Sequence, residues 1–225
     1  TRVFSSSTGV IGEPLPHDRI TAKIIELKAA LDESAIEAAA EAIRTTDTFA
    51  KGAGAQIEVN GKTVSIAGIA KGSGMIAPDM ATMLVYVFTD AKIAREDLQA
   101  IVSELNEITF NSITVDSDTS TSDSFLIAAT GGSDVDVTDS TAFKVALHGV
   151  MKDLALQVVR DGEGATKLVE IQITGAQSDA DARTHGLAVA NSPLVKTAIA
   201  GEDPNWGRVV MAIGKSGAAA DRDLL

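Results

Sequence analysis

Gly68-Ile-Ala-Lys-Gly-Ser-Gly-Met-Ile-Ala-Pro-Asp-Met-Ala-Thr-Met-Leu-Val-Tyr-Val-Phe-Thr89 joins a glycine-rich segment to a nearly continuous apolar run. Glycines and Pro78 punctuate the first half as loop. Met83 to Phe88 reads as a strand covered on both faces. Thr82 stands at the seam. A hydroxyl between a loop and a buried strand is a candidate nucleophile. If the chain is cut between Ala81 and Thr82, the freed α-amino group sits beside that hydroxyl, and base and nucleophile share one residue. Such an amine has a pKa of about 7.7–8.0, suited to a general base. Self-cleavage by N→O acyl shift needs an unusual backbone, which the glycines upstream permit. A threonine that merely opens a strand fits the same residues, and both readings stay open at this point.

Outward from the seam, helices and strands alternate. Arg19 to Leu31 repeats apolar residues at helical spacing, and Ser34 with Glu37 forms a capping box before an Ala-rich helix. Gln56 to Ile66 reads as a hairpin turning at Asn60-Gly61. Arg95 to Phe110 and Ser140 to Val159 read as helices, the second stopping at Asp161-Gly-Glu-Gly164. Ile113 to Val115, Ser124 to Ala129, Leu168 to Thr174 and Arg208 to Ile213 read as strands. Residues 178–200 read as two helices broken near Pro193. The mixture implies a layered α/β fold. The chain is expected to be part of a longer one: it begins at Thr1 without an initiator Met, and Gly217 to Leu225 holds no stop device.

Composition narrows the function. Hydrophobic residues make up 45% of the 225, enough for a sizeable core, but aromatics only 4%, so Ala, Val, Ile and Leu build it. A net charge of −12 argues against nucleic acid and anionic membrane surfaces as partners. The absence of cysteine excludes disulfides, thiolate metal sites and Cys nucleophiles, and is compatible with a cytoplasmic protein. No apolar run is long enough for a membrane helix, and no signal peptide is visible.

Other residues are weighed in the same way. Thr8-Gly9 reads as a turn, or as an oxyanion hole in which a hydroxyl and a backbone N–H meet developing charge. Lys71, among glycines, suits a carboxylate or phosphate. The P-loop pattern is absent there, and Gly214-Lys215-Ser216 has Val209 where that pattern needs glycine. Glu163, between glycines, is either a solvated turn residue or a ligand for a substrate ammonium. Asp116, Asp118 and Asp123 lie in an acidic loop without the glycine and terminal glutamate of an EF-hand, and read as structural. His17, His148 and His185 show no paired-ligand spacing, so no metal site is expected. No Gly-x-Ser-x-Gly elbow occurs.

Several stretches, in order along nearly the whole chain, closely resemble the ornithine acetyltransferase family, the bifunctional glutamate N-acetyltransferases of arginine biosynthesis. They are Ser7-Thr-Gly-Val-Ile-Gly-Glu-Pro-Leu-Pro16, Thr45-Thr-Asp-Thr48, Gly68 to Pro78 and Met80-Ala-Thr-Met-Leu84. Further on come Ile113-Thr-Val-Asp-Ser-Asp-Thr-Ser-Thr121, Asp161-Gly-Glu-Gly-Ala-Thr-Lys167, Ala190-Asn-Ser-Pro-Leu-Val-Lys196 and Asp203-Pro-Asn-Trp-Gly-Arg208. The resemblance implies a precursor that cleaves itself between Ala81 and Thr82, with Thr82 then the nucleophile. Thr8 and Gly9 match the family's oxyanion hole, and Thr45, Lys71, Thr82 and Glu163 its substrate contacts. It implies an α-β-β-α sandwich in which residues 1–81 end the α piece and 82–225 begin the β piece of one intertwined domain. The pieces stay together and pair into a heterotetramer. The implied reaction moves an acetyl group from N²-acetylornithine to glutamate through an ester on Thr82, with no cofactor. Some members also accept acetyl-CoA as donor. The alternative class is a self-processed amidase or aminopeptidase, in which water resolves the same ester. The family's C-terminal substrate contacts fall beyond Leu225.

Overall fold

The computed structural model describes residues 4–77, 83–221 and 223. Among them one four-stranded sheet runs in the order β1-β2-β3-β4. The strands are β1 (Lys51–Val59), β2 (Lys62–Lys71), β3 (Leu84–Thr89) and β4 (Ser124–Ala129). β1, β2 and β3 are antiparallel neighbours, and β3 and β4 are parallel. The expected hairpin is present, and its strands run beyond the expected ends. Val59 faces Lys62 across Asn60 and Gly61, whose φ values of 52° and 74° are those of a type I′ turn.

Seven α-helices accompany the sheet among the described residues: α1 (His17–Ala29), α2 (Ile36–Ala42), α3 (Arg95–Glu107), α4 (Thr141–Arg160), α5 (Asp179–Ala190), α6 (Pro193–Ala200) and α7 (Trp206–Gly214). α4 lies across β1 and β2 and carries the core, with Phe143, Leu147, Met151, Leu154 and Val158 fully buried. Ser140 caps it, accepting from Phe143 N. Gly68 lets the helix come close, because a Cβ there would lie 2.9 Å from a Leu154 methyl carbon. α5, α6 and α7 pack on one another around Val189, Val195 and Ala212.

Side chains alternate across a strand. The register therefore places Ala67, Ile69, Tyr86, Phe88, Leu126 and Ala128 together on the face opposite α4. Phe88 there is 45% exposed. α1 buries none of its residues, and Ile25 on its apolar stripe is 83% exposed.

Four local expectations are corrected. Arg208 to Ile213 lies in α7, not in a strand. A short apolar run does not distinguish the two, and the Asn205 side chain, accepting from Arg208 N at 3.3 Å, starts a helix. Leu168 to Thr174 forms no strand, since nothing among the described residues pairs with it. Ile113 to Val115 is a connection after a 3₁₀ turn (Phe110–Ser112), tied by Val115 N to the Ile76 carbonyl at 2.7 Å. The Ser34–Glu37 capping box is not formed: Ala35 precedes α2, and the Asp32 carboxylate accepts from Ser34 N at 2.8 Å instead. The pair of helices over residues 178–200 stands as expected, divided by Ser192 and Pro193.

Candidate active site

β2 ends where β3 and β4 begin, so Lys71, Leu84 and Ser124 lie side by side at one end of the sheet. Three loops converge there. The segment after β2 is held by the Asp116 carboxylate, which accepts from Met75 N at 2.6 Å and Ile76 N at 3.1 Å. That explains how Met75 sustains a φ of 52°, and it gives Asp116 of the acidic loop the structural role expected of it. The loop before β1 joins it through the Thr46 and Ser73 hydroxyls, 2.6 Å apart. The turn after α4 joins through Glu163 N, which donates to the Ser73 carbonyl at 2.7 Å. Gly74 lies directly under Glu163, where a Cβ would meet Oε2 at 2.8 Å.

The knot behind these loops is a buried ion triad. Lys51 Nζ lies 2.6 Å from Asp47 Oδ1 and 2.6 Å from Asp161 Oδ2. Asp47 also accepts from Gly72 N at 2.7 Å and from Thr45 N at 3.1 Å. Asp161 accepts from the backbone N–H of Thr48 at 2.9 Å and from its hydroxyl. Burial is the largest influence on Asp47 and pushes its carboxyl up; the Gly72 N–H, Lys51 and the Thr45 N–H together outweigh it and hold the carboxyl below the ordinary range. Asp161 is likewise held low against burial by Lys51 and Thr48.

The other side of the sheet end is not balanced. Asp123 Oδ1 accepts from Met83 N at 2.8 Å, while Oδ2 is buried and has no hydrogen-bond partner among the described residues. Burial pushes this carboxyl up to about 6, against the Met83 N–H and Lys71. Lys71 is buried, and burial lowers its ammonium pKa; Asp47 opposes that shift, Lys51 adds to it, and Asp123 opposes it. A cavity of about 350 Å³ opens beside Asp123, lined by Ile76, Ala77, Met83, Phe110 and Phe125 among others. That volume suits a small molecule. Among the described residues no group of three or more His, Asp or Glu is arranged to hold a metal ion.

The expected site residues fall as follows. Thr45 and Glu163, far apart in sequence, belong to two of the loops that converge, and Lys71 ends β2 where the third begins. Ala81 and Thr82 lie outside the described residues; Met83, next along the chain, is at the same sheet end. Thr8 is half-buried and Gly9 exposed. Their segment touches the sheet through the Ser6 hydroxyl, hydrogen-bonded to Tyr86 OH on β3. Sequence reasoning missed Lys51, Asp47, Asp161 and Asp123 as parts of the site. Asp47 and Asp161 lie inside the quoted motifs, next to the residues singled out. His185 is a buried tie, with its ring nitrogens 3.1 Å from the Ala219 carbonyl and 3.0 Å from the Ser216 hydroxyl.

The framework is mixed α/β, with Lys71 at the end of β2 and the loops of Thr45 and Glu163 meeting it there. The chain belongs to the ArgJ family, whose model matches residues 1–225. It is 70% identical over 224 residues to the "Arginine biosynthesis bifunctional protein ArgJ" of Ruegeria pomeroyi, covering 100% of this chain and 55% of that protein. It is 59% identical to the protein of the same description from Gluconobacter oxydans, covering 99% of this chain and 54% of that protein. The chain thus spans about half the length of these curated relatives. The crystal structure of the Bacillus halodurans arginine biosynthesis bifunctional protein ArgJ is similar with a TM-score of 0.58 at 44% identity, over 61% of this chain and 67% of that one.

Proposed function

We propose that the full-length protein transfers an acetyl group from N²-acetylornithine to glutamate through an ester on Thr82. The observation that carries this reading is the convergence of Thr45 and Glu163, from two separate loops, with Lys71 at the end of β2, on the sheet end where Met83 follows the seam. Membership of the ArgJ family along the whole chain supports it. In the first step the Thr82 hydroxyl attacks the Ala81 carbonyl, and water releases the α piece, leaving a free amine on Thr82. That amine then takes the hydroxyl proton as Oγ attacks the acetyl carbonyl. Thr8 and Gly9 stabilise the oxyanion, and the proton returns to the leaving ornithine amine. Glutamate's amine attacks the ester and regenerates the hydroxyl. Lys71 meets a substrate carboxylate and Glu163 an ammonium. The cycle needs no metal or cofactor.

β2 belongs to the piece before the seam and β3 to the piece after it, and they form one ladder from Ile66 to Lys71. A cut would thus leave two intertwined chains of one domain, residues 1–81 and 82–225 in this numbering. The apolar face of Ala67, Ile69, Tyr86, Phe88 and Leu126 supports a second sheet lying on it, which gives the α-β-β-α sandwich. The pieces pair again into a heterotetramer. No helix of the described residues is long and apolar enough to cross a membrane, and we place the enzyme in the cytoplasm.

Incubating the full-length protein with acetylornithine and isotopically labelled glutamate tests the reading. Labelled N-acetylglutamate and an acetylated Thr82 peptide are expected. Hydrolysis of acetylornithine without transfer would make the protein an amidase instead, and full activity of an intact chain would overturn the self-processing scheme.

A further inference from the structure

Lys51 is the fully buried centre of the loops described above, and no step of the proposed reaction uses it. Its ammonium meets Asp47 Oδ1 and Asp161 Oδ2, each at 2.6 Å, and lies 4.7 Å from the centroid of the Phe49 ring. Each carboxylate spends its other lone pairs on a loop. Asp47 takes the backbone N–H of Thr45 and of Gly72, the residue after Lys71. Asp161 takes Thr48 and lies two residues before Glu163. Thr45, Lys71 and Glu163, three of the residues assigned to substrate, are thus at most two positions from an atom in this network. Removing a buried ion pair's charge from one side leaves its partner uncompensated, while a well-packed apolar core gives similar net stability. What the ions add here is geometry: two carboxylates that would repel each other are drawn to one point, and the loops come with them.

We infer that Lys51 is a positioning residue: by neutralising Asp47 and Asp161 it fixes Thr45, Lys71 and Glu163 relative to one another before substrate arrives. The inference rests on the acetyl-transfer reading of the site. It requires that loosening the network weaken substrate binding more than it slows the chemistry at Thr82, since the residues that the network holds are the ones assigned to binding.

The test uses the full-length protein with Asp161→Asn and the milder Thr48→Val, which removes one exposed hydroxyl donor to Asp161 and leaves the core intact. Steady-state kcat and KM for acetylornithine and glutamate are measured, with the mass of the cleaved pieces and the melting temperature. Misplacement of a binding group by a fraction of an ångström predicts a KM rise of about tenfold for Asp161→Asn and about threefold for Thr48→Val, with kcat within about twofold. Cleavage before Thr82 goes to completion in both. If the melting temperature falls while KM holds, the network is only a structural tie and the inference is overturned. If the unaltered protein transfers no acetyl group, the reading of the site falls first, and the inference with it.

Discussion

Two groups of charge share the end of the sheet, and they are held in opposite ways. In the Lys51 triad every carboxylate oxygen has a donor, and both acids are held below the ordinary range. At Asp123 and Lys71 burial dominates: the carboxyl is pushed up to about 6, the ammonium is pushed down, and one carboxylate oxygen lacks a hydrogen-bond partner among the described residues. A satisfied buried network specifies a shape. Groups held in a costly protonation state beside a cavity are the mark of a reacting site. The contrast sets a satisfied network beside an unbalanced pair at the same end of the sheet.

The largest effect should come at the seam. Thr82→Ala is expected to abolish the break before residue 82 and to lower acetyl transfer by at least about 10⁴-fold, with the fold retained. Intact mass and single-turnover acetylation check it. Residual transfer within tenfold of the unaltered protein would overturn the ester on Thr82, and with it any reaction beside the unbalanced pair.

Next is Lys51→Met. It strands two buried carboxylates and should cost about 3–5 kcal/mol in denaturant unfolding at pH 7. Asp47 and Asp161 titrate below their ordinary range in the folded chain, so near pH 4 the unfolded state binds more protons. The stability they contribute is complete above the ordinary carboxylate pKa and drains as pH falls through it and below. Lys51→Met should flatten that acid limb. A mutant as stable as the parent at pH 7 would mean that Lys51 does not compensate the two carboxylates.

Asp123 has the opposite sign. Its folded pKa is raised, so its favourable contribution is present in acid and is lost as pH rises from about 4 to about 6. Asp123→Asn keeps an acceptor for Met83 N and removes the buried charge. At pH 7 it should therefore stabilise the fold, by about 1–2 kcal/mol after allowance for solvent screening, while lowering activity. Unfolding curves at pH 4 and pH 7 check it: the gain should vanish at the lower pH.

Much of the framework was legible in the sequence, for reasons tied to particular residues. Asn60-Gly61 between alternating runs admits little but a type I′ hairpin, and Ser140 before an apolar periodicity marks the start of α4. α7 was misread because Val209 to Ile213 is too short for periodicity to decide, and the deciding signal was the Asn205 cap. Leu168 to Thr174 alternates like a strand but has no partner here. At the site, Lys71 and Glu163 stand out among glycines and Thr45 only through family resemblance; no spacing joins residues so far apart. Lys51 lies ahead of the expected hairpin, which starts at Gln56, and only tertiary packing puts two acids over it. Asp123 was hidden in a run of polar residues whose burial depends on β4.

The smallest expected effect separates alignment from stability at two glycines. A Cβ at Gly68 would press on Leu154 and Val87 inside the core, at 2.9 and 3.1 Å. Neither neighbour can withdraw without disturbing α4, so Gly68→Ala should cost about 1–3 kcal/mol and leave KM alone. A Cβ at Gly74 would meet Glu163 Oε2 at 2.8 Å, and the other neighbours lie at 3.8 Å or beyond. The end of a glutamate side chain swings aside cheaply, so Gly74→Ala should change stability by no more than about 0.5 kcal/mol. The displaced carboxylate no longer stands where an ammonium would meet it, and KM for acetylornithine should rise about threefold with kcat little changed. Glu163→Gln should raise KM further, and adding Gly74→Ala to it should have no additional effect, because the carboxylate that the methyl displaces is already gone. Additive losses in that double mutant would place the substrate ammonium somewhere other than Glu163.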